Sequence, residues 1–254
     1  MPRVATASGE LFYTLKKGPR DGPVLVLVHG AGGSRLHWPS QLRRMPRATV
    51  YTLDLPGHGR SKGDGSETID CYAEAVAALL DAVAVDRAII VGHSMGGAIA
   101  QTLALQLDQR VSALVLVGTG ARLRVTRAIL DGIQDDFEGA TALITRYAWS
   151  PDAAPSLTAL GREALRRTAP RVLLGDFLAC DRFDVMECLP EISVPALVIT
   201  GTADKLTPVK YARYLAEHIP DARLVTVEGA GHMVMLERPR QVADAVREFV
   251  MASW

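Results

Sequence analysis

The feature that most constrains this chain is Gly92-His-Ser-Met-Gly96, set between a β-branched run, Ala88–Val91, and an Ala/Leu-rich segment, Met95–Leu107. A serine on a sharp strand-to-helix turn projects its hydroxyl above the sheet, and side chains two residues to either side would collide with the turn. Gly92 and Gly96 stand at those positions. The helix that follows turns its free N–H groups and positive dipole end toward any developing negative charge. The spacing therefore predicts a strained backbone at a nucleophilic Ser94. The competing reading is an ordinary strand-helix turn in which Ser94 only caps the helix.

Around that turn, short β-branched runs alternate with amphipathic segments, the pattern of a mostly parallel sheet flanked by helices. The runs are Val24–Val28, Thr49–Leu53, Ala88–Val91, Leu114–Val117, Ala196–Thr200 and Leu224–Val227. They lack strict alternation, as strands covered on both faces do. Glu10–Leu15 reads as an added antiparallel edge strand. Helical spacing aligns Tyr72, Val76, Leu79, Leu80 and Val83 within Ile69–Val83. It does the same for Met95, Ile99, Leu103 and Leu107, and both stripes read as core. The rhythm breaks over 121–187, where no strand reads and Pro151, Pro155 and Pro170 punctuate short helices. The economical division is a core of 1–120 and 188–254 with a helical insertion, 121–187, between two parts of one sheet.

A serine hydroxyl needs a neighbouring base to take its proton. Of the six histidines, His29 and His58 lie in Gly-rich loops, His37 follows one, and His218 falls in a polar helix. His93 sits inside the turn, where its ring should point away from the hydroxyl and pack. His232 follows the last strand in Glu228-Gly-Ala-Gly-His232. That places it at the carboxyl edge of the sheet, where open α/β folds assemble their sites. The group that orients the imidazole must be a carboxylate. Asp204, in Thr200-Gly-Thr-Ala-Asp204, follows the preceding strand, whereas the loop after Val117 reads Gly-Thr-Gly-Ala-Arg122 and holds no acid. An aspartate bonding its own turn is the alternative at 204. The order Ser, Asp, His is the one expected for a nucleophile on such a turn.

Strand Val24–Val28 runs into His29-Gly-Ala-Gly-Gly-Ser-Arg35. A dinucleotide loop needs glycine where Arg35 stands, and a phosphate-binding P-loop needs a terminal Gly-Lys-Ser/Thr that is missing. The best use of the loop is to present one backbone N–H, that of Ala31, beside that of Met95, the pair forming an oxyanion hole.

These pieces together resemble the α/β-hydrolases, in particular the esterase, enol-lactonase and haloperoxidase-like group. The matching stretches are His29-Gly30, Asp54-Leu-Pro-Gly-His-Gly-Arg-Ser61, Gly92–Gly97, Gly201–Pro208 and Gly229–Pro239. The resemblance spans nearly the whole chain except the insertion. It implies an α/β-hydrolase fold, a triad of Ser94, Asp204 and His232, and a cap at 121–187 that covers the site and selects the substrate. It assigns Asp54–Ser61 a structural place near the pocket. The reaction expected is cleavage of small-molecule carboxylic esters through an acyl-enzyme. Lactonases, carbon–carbon bond hydrolases and perhydrolases share the triad, and a small-molecule sensor can share the scaffold. Epoxide hydrolases and haloalkane dehalogenases want an aspartate where Ser94 stands.

Composition narrows the partners. Lys+Arg and Asp+Glu balance at 28 each in 254 residues, which argues against a global electrostatic role on nucleic acid or an anionic membrane. No stretch approaches the roughly 18 apolar residues of a membrane span, and Met1–Phe12 has no segment suited to a secretory signal. Cys71, Cys180 and Cys188 lack metal-site spacing and read as free thiols of a cytoplasmic protein. No metal or organic cofactor is expected; the expected partner is a small acyl substrate. Arg122, Arg124, Arg127, Arg162, Arg166, Arg167 and Arg171 crowd the insertion. With Asp131, Asp135, Asp136, Glu138, Glu163 and Asp176 nearby, they read as a solvated, ion-paired surface rather than an anion site.

Overall fold

The central apolar runs become neighbouring strands that bury both of their faces, while the last, Leu224–Val227, is only partly buried. The computed structural model describes residues 2–6 and 9–252. Met1, Ala7, Ser8, Ser253 and Trp254 lie outside the described residues, and with them part of Met1–Phe12 and both ends of the expected core. The strands are β1 (Arg3–Thr6), β2 (Gly9–Lys16), β3 (Val24–Val28), β4 (Thr49–Asp54), β5 (Ala88–His93), β6 (Val111–Val117), β7 (Ala196–Gly201) and β8 (Ala222–Val227). Among the described residues they form one sheet in the order β1-β2-β4-β3-β5-β6-β7-β8. β1 and β2 run antiparallel to their neighbours, and every pairing from β4–β3 to β7–β8 is parallel.

Alternation along each strand feeds two cores. Val26 and Val28 of β3, with Leu114 and Leu116 of β6, face one side. Leu25, Leu27, Ala113, Val115 and Val117 face the other. Full burial of each such side chain contributes roughly 1.5–3 kcal/mol. The helices around them are α1 (Ser40–Arg43), α2 (Ile69–Ala82), α3 (Met95–Gln106), α4 (Arg127–Asp135), α5 (Phe137–Ala148), α6 (Pro155–Arg166), α7 (Pro170–Arg182), α8 (Val209–His218), α9 (Val234–Glu237) and α10 (Pro239–Ala252). α2 and α3 cover the first face and α10 the second. α3 is buried from Met95 to Ala104, on every side rather than along a stripe. Thr68 starts α2 by accepting the Cys71 N–H, and Pro155 and Pro170 occupy first-turn positions in α6 and α7.

Two differences from the sequence expectation stand out. The segment read as an edge strand is β2, and it lies one strand in, paired with both β1 and β4. β1 outside it, Arg-Val-Ala-Thr, is short and half exposed, so no apolar run announces it. Between β6 and β7 the chain leaves the sheet through α4–α7, which share a small core of Ile129, Ile133, Ala140, Ile144, Leu165 and Leu173. The two passages of chain at its root run antiparallel, with a bridge between Arg122 and Asp184 and a bond from Val185 N–H to Ala121 O of 2.8 Å.

The turn at Ser94 tests the steric argument for its glycines. A Cβ on Gly92 would overlap the Gly96 carbonyl, whereas one on Gly229 would meet only the end of Arg238, 3.9 Å away, at φ 68°. Gly92→Ala should therefore destabilise by about 3 kcal/mol, and Gly229→Ala by about 1 kcal/mol from backbone strain alone. Chemical denaturation of both variants measures the contrast. Equal losses would contradict the steric account of the turn.

Candidate active site

Ser94 adopts φ 53° and ψ −117°, a left-handed conformation unusual for a residue with a Cβ. Neighbouring backbone holds it there. Its N–H donates to Val117 O at 2.9 Å, and its carbonyl accepts Thr119 Oγ1 at 2.8 Å. Among the described residues its side chain makes no capping bond to α3, so the plain helix-cap reading does not hold. A Cβ on Gly30 would sit 3.0 Å from that of Ser94, which brings the loop after β3 against the serine. Ala31 of that loop lines a cavity with Ser94. Met95 is the first residue of α3, with its side chain fully buried.

His232 and Asp204 meet from separate loops. His232 Nδ1 lies 2.8 Å from Asp204 Oδ2, with both side chains buried. The carboxylate can only accept, so Nδ1 carries the proton and Nε2 is the nitrogen left free of that bond. The other carboxylate oxygen, Oδ1, accepts the N–H groups of Leu206 and Thr207, each at 2.9 Å. Asp204 is thus both a turn aspartate and the partner of the imidazole, one role for each oxygen. Thr207, which sequence reasoning passed over, completes the group. Its Oγ1 donates to Asp204 Oδ2 at 2.8 Å and lies 3.2 Å from His232 Nδ1. The signal available was a threonine three residues after an aspartate in a turn.

The loop bearing His232 is fixed from two sides. Glu237 accepts the N–H groups of Gly231 and Ser150, and His93 Nε2 donates to the carbonyl of His232 at 3.1 Å. His93 was expected only to pack. It does pack against His232, the two rings tilted with centroids 4.8 Å apart, but its ring also anchors that carbonyl. Burial lowers the His93 pKa, with further lowering from His232, and so keeps it a neutral donor. His29 is likewise structural: Nδ1 donates to Gly30 O and Nε2 accepts the Leu55 N–H, at 2.9 and 3.0 Å. In the Asp54–Ser61 stretch, Asp54 accepts both the N–H and the guanidinium of Arg35, at 2.7 Å each.

Ser94 and His232 face two apolar cavities, of about 430 and 400 Å³. Phe177, Cys180 and Leu206 line both as well. The insertion supplies much of the lining, including Ile144, Trp149 and Leu165 on one side and Ile129, Leu143 and Tyr147 on the other.

Most of the insertion's arginines are ion-paired at the surface, as their acidic neighbours suggested. Arg166 reaches Glu138 at 2.8 Å, Arg167 reaches Glu163 at 3.3 Å, and Arg122 and Arg124 share Asp184. Asp176 corrects the expectation of a wholly solvated surface. Its carboxylate is fully buried and accepts Gly32 N–H at 2.8 Å, His58 Nε2 at 2.8 Å and the Tyr72 hydroxyl at 2.5 Å. Burial by itself would lower the His58 pKa, but the adjacent Asp176 carboxylate outweighs it and the net shift is upward. A spacing rule for helix faces missed Asp176 because its partners come from loops far away in sequence.

The fold is a mostly parallel α/β sheet with a serine at a strained strand-helix turn and a histidine–carboxylate pair at the same edge. Residues 25–245 match the model of the alpha/beta hydrolase family, and the chain belongs to that family. Among solved structures, a thermophilic esterase is 36% identical with a TM-score of 0.87, over 99% of this chain and 97% of its own. A dihydrolipoyllysine-residue acetyltransferase component of an acetoin cleaving system from Pseudomonas putida is 32% identical, over 98% of this chain and 69% of its own length. A pimeloyl-[acyl-carrier protein] methyl ester esterase from Neisseria meningitidis serogroup C / serotype 2a (strain ATCC 700532 / DSM 15464 / FAM18) is 30% identical, over 89% of this chain and 93% of its own.

The Asp204 bonds carry a pH signature. Burial pushes its pKa up, but the His232 imidazole and the Thr207 bonds outweigh that and hold it below the ordinary aspartate value. A carboxylate so lowered adds stability above its unfolded pKa, about 4, and loses it as pH falls through the lower folded value. Asp204→Asn should melt below the wild type near neutral pH, and the gap should narrow below about pH 4. Melting curves across that range check this; a gap that does not change with pH would contradict it.

Proposed function

We propose that this chain is a serine hydrolase that cleaves carboxylic esters of small molecules through an acyl-enzyme, with Ser94 as nucleophile, His232 as base and Asp204 as the group that orients it. The observation that carries this reading is the 2.8 Å bond from His232 Nδ1 to Asp204 Oδ2, made by a ring that lines the same cavities as Ser94. With Nδ1 holding its proton on Asp204, Nε2 is the free base. The Ser94 oxygen adds to the ester carbonyl carbon as its proton passes to His232 Nε2. The carbonyl electrons become an oxyanion that the backbone N–H groups of Ala31 and Met95 stabilise, at about 2.7–4 kcal/mol for each donor. The oxyanion then collapses, the ester C–O bond breaks, and the alcohol leaves with the proton from His232. Water repeats the cycle on the acyl-enzyme, and the acid departs.

The insertion over 121–187 acts as a cap. It encloses apolar space on both sides of the serine, which suits an acyl group in one cavity and an alcohol in the other. The chemistry asks for no metal or organic cofactor. The esterases among the relatives support the ester bond as target, and a lactone presents the same carbonyl chemistry in a ring. Three free cysteines suit a reducing compartment, and we place the enzyme in the cytoplasm on that ground.

A panel of p-nitrophenyl esters and lactones of varied chain length tests the proposal. The wild type should turn over many times per chain on at least the shorter esters. Ser94→Ala should lose at least about 10³-fold in kcat while keeping the wild-type melting temperature. A fully active Ser94→Ala protein would refute the assignment. One slow event per chain, without sustained turnover, would identify a sensor instead.

A further inference from the structure

The buried carboxylate of Asp176 belongs to α7 of the insertion, yet it bonds the core loop that carries the oxyanion donor. Gly32 is the next residue after Ala31 and takes φ 61°. Its N–H donates to Asp176 Oδ2 at 2.8 Å, and its carbonyl accepts Thr168 Oγ1 at 3.0 Å. Thr168 lies between α6 and α7, so both polar groups of this one peptide unit's residue are held by the insertion across more than a hundred residues of sequence. Leu165 and Leu173 press on the same glycine so closely that a Cβ there would run into both. The loop is tight on its inner side too, with Gly33 N–H bonded to Gly30 O at 3.0 Å and Gly30 against Ser94.

Asp176 is itself rigidly seated. Tyr72 donates to its Oδ1 at 2.5 Å while accepting the Ser66 N–H at 2.9 Å, and His58 faces Oδ2 with Nε2 and Pro56 O with Nδ1. Both ring nitrogens of His58 meet acceptors, so the ring donates from both as a cation and pairs with the Asp176 carboxylate. Burying such a pair confers little stability over a well-packed apolar set. What an apolar residue at 176 would not do is hold the Gly32 N–H in one direction.

We propose that Asp176 and Thr168 are positioning residues for the oxyanion hole: they clamp Gly32 from the insertion and thereby aim the Ala31 N–H, so that the site is complete only while the insertion is seated. The proposal rests on the acyl-ester reading above. It couples substrate enclosure to catalysis, because the element that closes the cavity also sets the donor. Aim matters more than presence, since a displacement of about 1 Å in a catalytic group can cost around a hundredfold in rate.

The test uses Thr168→Val, which removes the hydroxyl and keeps the bulk, with Asp176→Asn as a second variant. On a short p-nitrophenyl ester each should lower kcat between about tenfold and a hundredfold with KM within about twofold. Each should weaken binding of a trifluoromethyl ketone, which becomes an oxyanion on Ser94, by a matching factor. Hydrogen exchange at Gly32 and Gly33 should quicken in both. Should Asp176→Asn fail to fold, Thr168→Val leaves the buried carboxylate intact and decides alone. A folded variant with wild-type kcat, or with reduced kcat but undiminished ketone binding, would overturn the clamp. An inactive Ser94→Ala beside a fully active Thr168→Val would sink the clamp alone, whereas an active Ser94→Ala would sink the reading beneath it.

Discussion

The left-handed backbone at Ser94 is the constraint around which the rest is arranged. A residue with a Cβ avoids that conformation by roughly 1–2 kcal/mol, so the surroundings must enforce it. They do so by crowding. Gly92 and Gly96 admit the turn only because neither carries a side chain, and bonds to Val117 O and from Thr119 Oγ1 fix the serine's own peptide groups. Those partners sit at the end of β6 and just beyond it, so the pairing of β5 with β6 is what delivers the strain. Strain stored at one residue and sustained by many neighbours is the usual signature of a functional turn.

The same sheet edge gathers the other groups. β7 and β8 pair in parallel register through Gly201 and Val227, which brings the loops of Asp204 and His232 side by side. Gly118, at φ 53°, completes the junction: a Cβ there would lie 3.4 Å from His232 Nδ1 and 3.6 Å from Asp204 Oδ2. The loop after β6 thus lends room for the pair rather than an acid of its own. Carboxylate, imidazole and hydroxyl come from three βα or βα-like connections, each short enough to inherit its position from the strand before it.

How much of this was legible in the sequence follows from the range of the interactions. Gly-x-Ser-x-Gly between a buried strand and a helix is local steric chemistry, and it read correctly down to the strain at Ser94. His232 and Asp204 were legible because each closely follows a recognisable strand, so topology does the work of contact. Thr207 was within reach of turn chemistry but not singled out. β1 escaped because four residues of mixed polarity carry no periodic signal. Asp176 escaped for a deeper reason: on α7 it looked like one more acid among arginines, and only its distant partners Gly32, His58 and Tyr72 make it a core residue. Non-local polar networks leave no trace in spacing. Much of this molecule's own character lies in them, since they join the insertion to the loop packed against the serine turn.

The central claim is that one hydroxyl on the strained turn is the nucleophile. Its most direct measurement is covalent labelling with a p-nitrophenyl alkylphosphonate, read by intact mass and by peptide mapping. The account predicts one adduct per chain, on Ser94, formed with release of one p-nitrophenol and slowed severely in His232→Ala. Labelling at another residue, or equal labelling when His232 is gone, would contradict it.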